Sequence, residues 1–192
     1  MKEHVNTSKR LAVVVLGMHR SGTSALAGVL NILGCDEPAT LMVPNNSNEK
    51  GYFESDKLYQ LHKMLLTSAA TTWDDWLPIQ SDWFNSLRAE EFREKAVKTM
   101  REEFGDSRLF VIKDPRICRF VPFLEHVLSD LSVQPRYIHT HRNPLEVEAS
   151  LCERDLMPSG LGLLIWLRHI LDAEFNTRGR IRCFTSYKKL IR

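Results

Sequence analysis

The fold of this chain is decided by the stretch Gly17-Met18-His19-Arg20-Ser21-Gly22-Thr23-Ser24, which joins an apolar run to a helical pattern. The apolar run covers residues 11–16, and Leu26, Leu30 and Leu33 recur after the loop at helical spacing. Strand, glycine loop and helix in this order cradle phosphate, because glycines let the backbone approach the ligand and the helix end presents unpaired N–H groups. The sequence therefore predicts a loop that binds a phosphorylated ligand.

The loop departs from the Walker A pattern of ATPases and GTPases at one position. Both glycines and the final hydroxyl of Ser24 fit that pattern, but Thr23 stands where those enzymes need a lysine. Arg20 supplies a cation to the loop, and Thr23 and Ser24 supply hydroxyl donors. The departure favours a ligand other than a nucleoside triphosphate. An ordinary tight turn with a capping hydroxyl is the alternative interpretation.

Strand and helix patterns alternate along the rest of the chain. Short apolar runs predict buried strands at residues 11–16, 109–112, 137–138 and 181–184. Helical spacing predicts helices at residues 26–33, 58–65, 92–104 and 161–171, the first stopped by Gly34 and the third by Gly105. This alternation predicts an α/β fold of the P-loop-containing nucleoside triphosphate hydrolase-like kind, with three layers and a central parallel sheet covered by helices.

The segments between these elements predict the domain organisation. Residues 38–51 are rich in Asn, Pro and Ser, and residues 71–82 carry tryptophans among aspartates, so both read as loops. The tryptophans suit stacking on a sugar ring, and equally suit stapling a long loop to the core. We predict a flexible N-terminal segment at residues 1–10 and one domain over residues 11–192.

Composition excludes several classes of function. The formal net charge of +2 comes without the clustered basic stripe of a nucleic-acid-binding protein, and no apolar run is long enough to span a bilayer. The four cysteines are scattered without metal-ligand spacing. We therefore expect a cytoplasmic protein with reduced thiols and no metal, whose partners are small molecules.

A second anion-binding element follows the strand predicted around residues 137–138. Arg142 stands at the strand end, Pro144 sits where a helix can begin, and Ser150 lies two turns along that helix. A guanidinium matches phosphate bidentately, and a serine hydroxyl can approach the same group. Taken alone this element is weak, because an arginine at a strand end is often a solvated ion-pair partner.

Together the two elements resemble the sulfotransferase family, which uses 3'-phosphoadenosine 5'-phosphosulfate (PAPS) as sulfuryl donor and releases adenosine 3',5'-bisphosphate. In that family an Arg-Ser-Gly-Thr loop holds the 5'-phosphosulfate, and an Arg-Asn-Pro element with a serine eight residues after the arginine holds the 3'-phosphate. A late strand-end tyrosine of the family resembles Tyr187. The resemblance thus implies the following donor-binding residues: Gly17, His19, Arg20, Ser21, Gly22, Thr23, Ser24, Arg142, Ser150 and Tyr187.

Two further segments are similar to the bacterial and carbohydrate-type branch of the family. They are Gly51-Tyr52-Phe53-Glu54-Ser55 and Lys113-Asp114-Pro115-Arg116. The resemblance implies Glu54 as catalytic base, while the histidine that the aryl branch uses near the Lys113 segment is missing. The alternative for Glu54 is an exposed carboxylate in the first turn of a helix.

These residues imply a mechanism without a required metal. Arg20, with Lys113 as second candidate, neutralises the charge that develops on the bridging and departing oxygens. Glu54 takes the proton of a hydroxyl, or less readily an amine, on a carbohydrate or small-metabolite acceptor. Asp114 is the rival to Glu54, and could instead be a Walker B-like residue or an ion-pair partner of Arg116 or Lys113.

The sequence ends earlier than the resemblance would lead one to expect, and two other functions fit the same motifs. Members of the family usually continue past the late tyrosine, whereas this sequence stops at Arg192, so we expect a truncated chain. One alternative function is a P-loop kinase or NTPase with a degenerate Walker A, in which Asp114 holds magnesium. The other is a catalytically inactive module that binds the nucleotide.

Overall fold

The structure is a computed structural model that describes residues 9–44 and 51–190. Residues 1–8 of the predicted flexible segment, residues 45–50 of the first predicted loop and residues 191–192 lie outside the described residues. The first strand begins at Arg10, inside the segment predicted as flexible. Its guanidinium donates to the carbonyl oxygens of Gly105 and Ser107, at 2.6 and 2.8 Å, and this fixes the start of the strand.

Four parallel strands form one sheet in the order β2-β1-β3-β4. The strands are β1 Arg10–Leu16, β2 Leu109–Lys113, β3 Val133–His141 and β4 Arg182–Ser186. All four were expected from the apolar runs, and only β3 is much longer than its run. Because β1 pairs with β2 on one side and β3 on the other, the loop after β1 lies at the centre of the sheet's carboxyl edge.

Seven helices and two short 3-10 helices connect and follow the strands in the described chain. The helices are α1 Thr23–Ile32, α2 Asp56–Ser68, α3 Leu87–Phe104, α4 Val121–Asp130, α5 Pro144–Asp155, α6 Leu161–Asn176 and α7 Tyr187–Leu190, and the 3-10 helices are Ser81–Asn85 and Pro115–Arg119. Ser55 and Ser86 cap α2 and α3, and the side chain of Asn143 caps α5. The helix stops predicted at Gly34 and Gly105 are confirmed, since both glycines have positive φ.

The alternating side chains of β1 show why the sheet is covered on both faces. Ala12, Val14 and Leu16 join the large core cluster with residues of α2, α3 and α4. Val15 points into a second cluster with Leu26 and other residues of α1. The predicted α/β fold, with a central parallel sheet covered by helices, is confirmed. No helix in the described ranges combines the length and the apolar character needed to cross a membrane.

The sequence pattern missed α4 and the first half of β3. Gln134, Pro135 and Arg136 interrupt the apolar run at the start of β3. Proline is tolerated there because β4 pairs with β3 only from Tyr137 onward, so Pro135 has no neighbour on that side. Helix α4 begins with Pro122 in its first turn and buries Phe123, Leu124 and Val127 without a separate stop signal.

Candidate functional site

The loop between β1 and α1 has a backbone that only some residues can adopt. Arg20 and Gly22 have φ angles of 68° and 85°, in the left-handed region. A Cβ atom on Gly17 would lie 2.5 Å from the carbonyl oxygen of Thr140, so a side chain there would clash with β3. The N-cap of α1 is Gly22, so no side chain of the cap residue covers the first turn of the helix. The start of α1 therefore presents backbone N–H groups toward the loop.

A cavity of about 380 Å³ opens beside this loop. It is lined by His19, Arg20, Thr23, Ser24, Met42, Tyr52, Glu54, Tyr59, Trp73, Lys113, Pro115, Arg116, Arg154 and Asp155. Six residues predicted from the sequence are among them: His19, Arg20, Thr23, Ser24, Glu54 and Lys113. The cavity therefore brings together the loop, the start of α1, the end of β2 and the segment before α2.

Lys113 and Glu54 form a buried ion pair at the centre of the cavity. The Lys113 ammonium contacts Glu54 Oε1 and donates to Ser24 Oγ and to the carbonyl oxygen of Tyr52, both at 3.0 Å. Glu54 is only 4 % exposed and precedes Ser55, the N-cap of α2. The alternative interpretation of Glu54 as an exposed carboxylate in a first helical turn is therefore wrong. One ammonium links the loop side of the cavity to the candidate base.

Two opposing effects act on the pKa of Glu54. Burial raises the pKa of this carboxyl above its ordinary value of 4.5, and the Lys113 ammonium offsets part of the increase. A glutamate with a raised pKa accepts a proton more readily than an exposed one near neutral pH. The environment of Glu54 is therefore suited to a general base.

Asp114, the other candidate for the base, is placed differently from Glu54. It is 3 % exposed and does not line the large cavity. Its Oδ1 accepts from Nη1 and from the backbone N–H of Arg116, each at 2.9 Å, and its Oδ2 lies 2.8 Å from His62 Nδ1. Of the three interpretations left open for Asp114, the ion-pair partner of Arg116 is the one that these contacts describe.

The contacts of Asp114 make the stability of the protein depend on pH. Burial acts against its charged form, but the Arg116 guanidinium and the hydrogen bond with His62 outweigh this effect, and the pKa of Asp114 falls well below its ordinary value of 3.8. A group with a depressed pKa contributes stability above its unfolded-state pKa, and this contribution is lost as the pH falls toward the folded-state value.

Asp114→Asn is therefore expected to lower the free energy of unfolding at neutral pH by about 1–3 kcal/mol. The difference from the wild type should shrink as the pH falls below about 3.8, because the wild type loses its advantage there. Urea denaturation from neutral pH down to about pH 2.5 measures both effects. The exposed Asp82 gives a matched control, since Asp82→Asn should change stability by less than about 0.5 kcal/mol. A difference that stays constant or widens in acid would contradict the assignment.

The second predicted element lies against the first. Arg20 Nε donates to Ser150 Oγ at 2.8 Å, across 130 positions of sequence. Arg142 Nη1 lies 3.4 Å from the carbonyl oxygen of Arg20, and its Nε pairs with Glu146 at 2.7 Å. Two elements that are far apart in the sequence, both predicted to bind anions, thus meet at one end of the sheet.

Tyr187 packs against both Arg142 and the loop between β1 and α1. The guanidinium of Arg142 stacks over its ring at 5.0 Å, and a Cβ atom on Gly22 would collide with that ring. Seven predicted residues, Gly17, Ser21, Gly22, Asp114, Arg142, Ser150 and Tyr187, do not line the large cavity. All of them except Asp114 belong to the loop or contact residues of the loop.

Two tryptophans of the tryptophan-rich region are placed differently in the structure. Trp83 is 9 % exposed and packs in the core, as a staple would. Trp73 instead lines the cavity and meets the His19 ring edge-on, with centroids 4.7 Å apart. Arg119 holds this loop in place by donating to the carbonyl oxygens of Asp75 and Leu77, at 2.7 and 2.6 Å. Trp73 is therefore part of the site and Trp83 is not.

Burial also governs the protonation of His19. Its pKa lies well below the ordinary value of 6.5, first because the ring is desolvated and then because Arg116 and His169 are close. His19 is therefore neutral near neutral pH, so the cations of the cavity are arginines and lysine. Within the described ranges, no cluster of three or more His, Cys, Asp or Glu side chains could hold a metal ion.

Several cavity residues were not predicted as site residues. Tyr52 and Arg116 were quoted within the two family-like segments but were given no role in the site, while Met42, Tyr59, Arg154 and Asp155 were not singled out at all. A signal existed for two of them, because Tyr52 is two residues before Glu54 and Arg116 is three residues after Lys113. No comparable signal marks Tyr59 or Arg154, which reach the cavity from the helices α2 and α5.

Comparison with known proteins adds a likeness to a solved structure. No protein-family model matches the sequence, and no curated protein matches it. The chain is similar to a solved structure described as a sulfotransferase domain from the curacin biosynthetic pathway, with a TM-score of 0.48 and 13% sequence identity. That match covers 95% of this chain and 69% of the other. The chemistry of this chain therefore has to be inferred from the residues of its own cavity.

Proposed function

We propose that this chain is a sulfotransferase that moves a sulfuryl group from PAPS to a hydroxyl, or less readily an amine, of a carbohydrate or small-metabolite acceptor. The observation that carries the proposal is the single cavity in which Arg20, Lys113 and Glu54 meet beside the start of α1. This cavity lies at the carboxyl edge of a parallel sheet, where α/β proteins bind their ligands. It offers cations for a leaving group and a carboxylate for an attacking hydroxyl.

The charges around the site suit the donor. Arg20, Lys113, Arg116 and Arg154 line the cavity against two carboxylates, those of Glu54 and Asp155. The excess of positive charge favours a phosphosulfate near the loop and the first turn of α1. Arg142 and Ser150, which both contact Arg20, would bind the 3'-phosphate. Tyr187, whose ring lies against Arg142, would border the nucleotide.

The proposed transfer is a single in-line displacement. The acceptor oxygen attacks the sulfur atom while Glu54 takes its proton, and a new oxygen–sulfur bond forms. The bond between sulfur and the bridging oxygen of the 5'-phosphate breaks, and its electron pair leaves with adenosine 3',5'-bisphosphate. Arg20 and Lys113 stabilise the charge that develops on the departing oxygens, which is the part that magnesium takes in kinases. Lys113 also orients Glu54 by direct contact.

The contacts of Asp114 count against the kinase or NTPase alternative. That alternative needs Asp114 to hold magnesium near the phosphates. Both of its carboxylate oxygens already have partners, in Arg116 and His62, and it lies outside the large cavity. A metal ion at Asp114 would have to break a buried network, which is costly.

Calorimetric titration of one preparation with adenosine 3',5'-bisphosphate, ATP and ATP plus magnesium tests the proposal. We expect the bisphosphate to bind without magnesium and more tightly than ATP. Arg142→Ala should weaken its binding about ten- to hundredfold, because charge-assisted hydrogen bonds to the 3'-phosphate are lost.

Arg178→Ala provides the control, since Arg178 is an exposed arginine whose ion pair is with Glu174, away from the cavity. It should leave the affinity unchanged. Magnesium-dependent binding of ATP that survives Arg142→Ala would favour the kinase or NTPase function instead. Bisphosphate binding with no transfer to any member of a panel of hydroxylated sugars and metabolites would favour the inactive nucleotide-binding module.

A further inference from the structure

Arg116 is a buried cation of the cavity whose role is not explained by its ion pair with Asp114. It lies in the 3-10 helix Pro115–Arg119, directly after β2, and is 6 % exposed. Its guanidinium plane is fixed by the ring of Tyr59, 4.6 Å from the ring centroid. Its Nη1 donates to Asp114 Oδ1 at 2.9 Å. The orientation of the guanidinium is therefore set by two neighbours.

The opposite edge of this guanidinium has no hydrogen-bond partner in the described part of the chain. Among the residues that the structure describes, nothing accepts a hydrogen bond from Arg116 Nε, which is buried, or from its Nη2. Nε and Nη2 together form the side-on edge of an arginine, with two parallel N–H donors that match the two oxygens of a carboxylate, phosphate or sulfate. Leaving a buried charged donor without an acceptor is costly.

Other arginines of this chain show what that edge usually does. Arg93 donates from Nε and Nη2 to Asp130, at 2.7 and 2.6 Å. Arg180 donates from the same two atoms to Glu125, at 2.7 and 2.9 Å. Those two pairs lie on the surface, whereas the free edge of Arg116 belongs to a buried residue that lines the cavity. The edge is thus suited to an oxyanion that the described residues do not supply.

The order of contacts places this edge on the acceptor side of the cavity. From the loop outward, Ser24 contacts Lys113, and Lys113 contacts Glu54 through Oε1. Arg116 lies on the other side of Glu54, with Nη1 3.9 Å from Oε2. In an in-line transfer the acceptor attacks from the side opposite the leaving group, which the loop binds. Glu54 thus stands between Lys113, which contacts the loop serine, and Arg116, which is close both to this carboxylate and to the His19 ring.

We infer that the acceptor carries an oxyanion close to the hydroxyl that receives the sulfuryl group, and that Nε and Nη2 of Arg116 bind this oxyanion. The oxyanion is a carboxylate, a sulfate or a phosphate group. This inference rests on the proposed function and narrows its acceptor class from any hydroxyl compound to an anionic one. Binding at this edge holds the acceptor hydroxyl beside Glu54. Arg154, which lines the same cavity, adds positive charge.

Inorganic sulfate is the probe for this edge, titrated by calorimetry in two arms. In one arm the protein is saturated with adenosine 3',5'-bisphosphate, which leaves the position of the sulfuryl group open. In the other it is saturated with PAPS, whose own sulfuryl group fills that position. We expect sulfate to bind in both arms. Binding only to the bisphosphate complex would mean that the probe occupies the donor's sulfuryl position, and would overturn the inference.

Arg116→Lys keeps the charge beside Asp114 but removes the two-pronged edge. It should weaken sulfate binding about ten- to hundredfold in the PAPS arm and leave the affinity for adenosine 3',5'-bisphosphate unchanged. Arg180→Lys changes a surface arginine with the same two-pronged geometry and should alter neither affinity. Equal sulfate affinities for the wild type and Arg116→Lys would overturn the inference.

The wild-type protein gives an answer that does not depend on whether the variant folds. Crystals of the PAPS complex soaked in selenate should show anomalous density beside Nε and Nη2 of Arg116, and density elsewhere alone would overturn the assignment. A chain that binds neither nucleotide would contradict the proposed function. In that case selenate is soaked into crystals of the nucleotide-free protein. Selenate density beside Nε and Nη2 of Arg116 would support the inference, and its absence would overturn it, because neither result depends on the donor.

Discussion

Glu54→Gln is expected to lower the rate of sulfuryl transfer by about a hundredfold to ten-thousandfold, the usual contribution of a positioned general base. The amide has nearly the shape of the carboxylate but cannot take the proton of the acceptor hydroxyl. Affinity for adenosine 3',5'-bisphosphate should stay close to that of the wild type, because in the proposed function Glu54 acts on the acceptor and not on the donor. Release of the bisphosphate from PAPS, measured with a panel of hydroxylated sugars, gives the rate, and calorimetry gives the affinity.

The control for this prediction is Glu91→Gln, which changes an exposed glutamate paired only with Arg88 on α3. It should alter neither quantity. If Glu54→Gln lost both transfer and bisphosphate binding, Glu54 would be a structural partner of Lys113 and not the base. Because the substitution leaves the buried Lys113 without its carboxylate, thermal unfolding of the variant should be measured beside its activity.

Arg20→Ala is expected to raise the barrier to transfer by about 3–4 kcal/mol, a loss of about two to three orders of magnitude in kcat. Arg20 lines the cavity at the loop, where the bridging oxygen of the donor would lie, so its charge acts on the transition state more than on the bound donor. Steady-state kinetics at saturating PAPS measures the change in kcat.

Arg142→Ala serves as the comparison for Arg20→Ala. Arg142 stands beside the loop but outside the cavity, so its loss should raise the KM for PAPS with a smaller effect on kcat. If Arg20→Ala raised the KM for PAPS and left kcat unchanged, Arg20 would only hold the donor. The two variants therefore separate binding from catalysis in two arginines that touch each other.

The buried pair of Lys113 and Glu54 explains why a charged carboxylate, the candidate base, can persist in this cavity. Two charges taken from water are stable only when their geometry is good and their remaining hydrogen-bond capacity is used. Lys113 meets this condition through Ser24 and the carbonyl oxygen of Tyr52 as well as Glu54. The same ammonium thus ties the base to the loop that would bind the donor.

The sequence by itself determined the elements of the fold that depend on local pattern. Residues 11–16 form a strand because they are apolar on both faces, and Gly34 and Gly105 end helices because they adopt positive φ. The loop at residues 17–24 could be located for the same reason, since glycine spacing and the flanking elements are short-range properties.

Tertiary structure alone decided which of the predicted residues share one cavity. Glu54 is buried against Lys113, Asp114 is turned away toward His62 and Arg116, and Arg116 lines the cavity. No local pattern carries this information, because the contacts of Glu54 with Lys113 and of Asp114 with His62 join residues that are far apart in the sequence. The parallel order β2-β1-β3-β4 brings the ends of three distant strands to one edge of the sheet, and only there do their side chains meet.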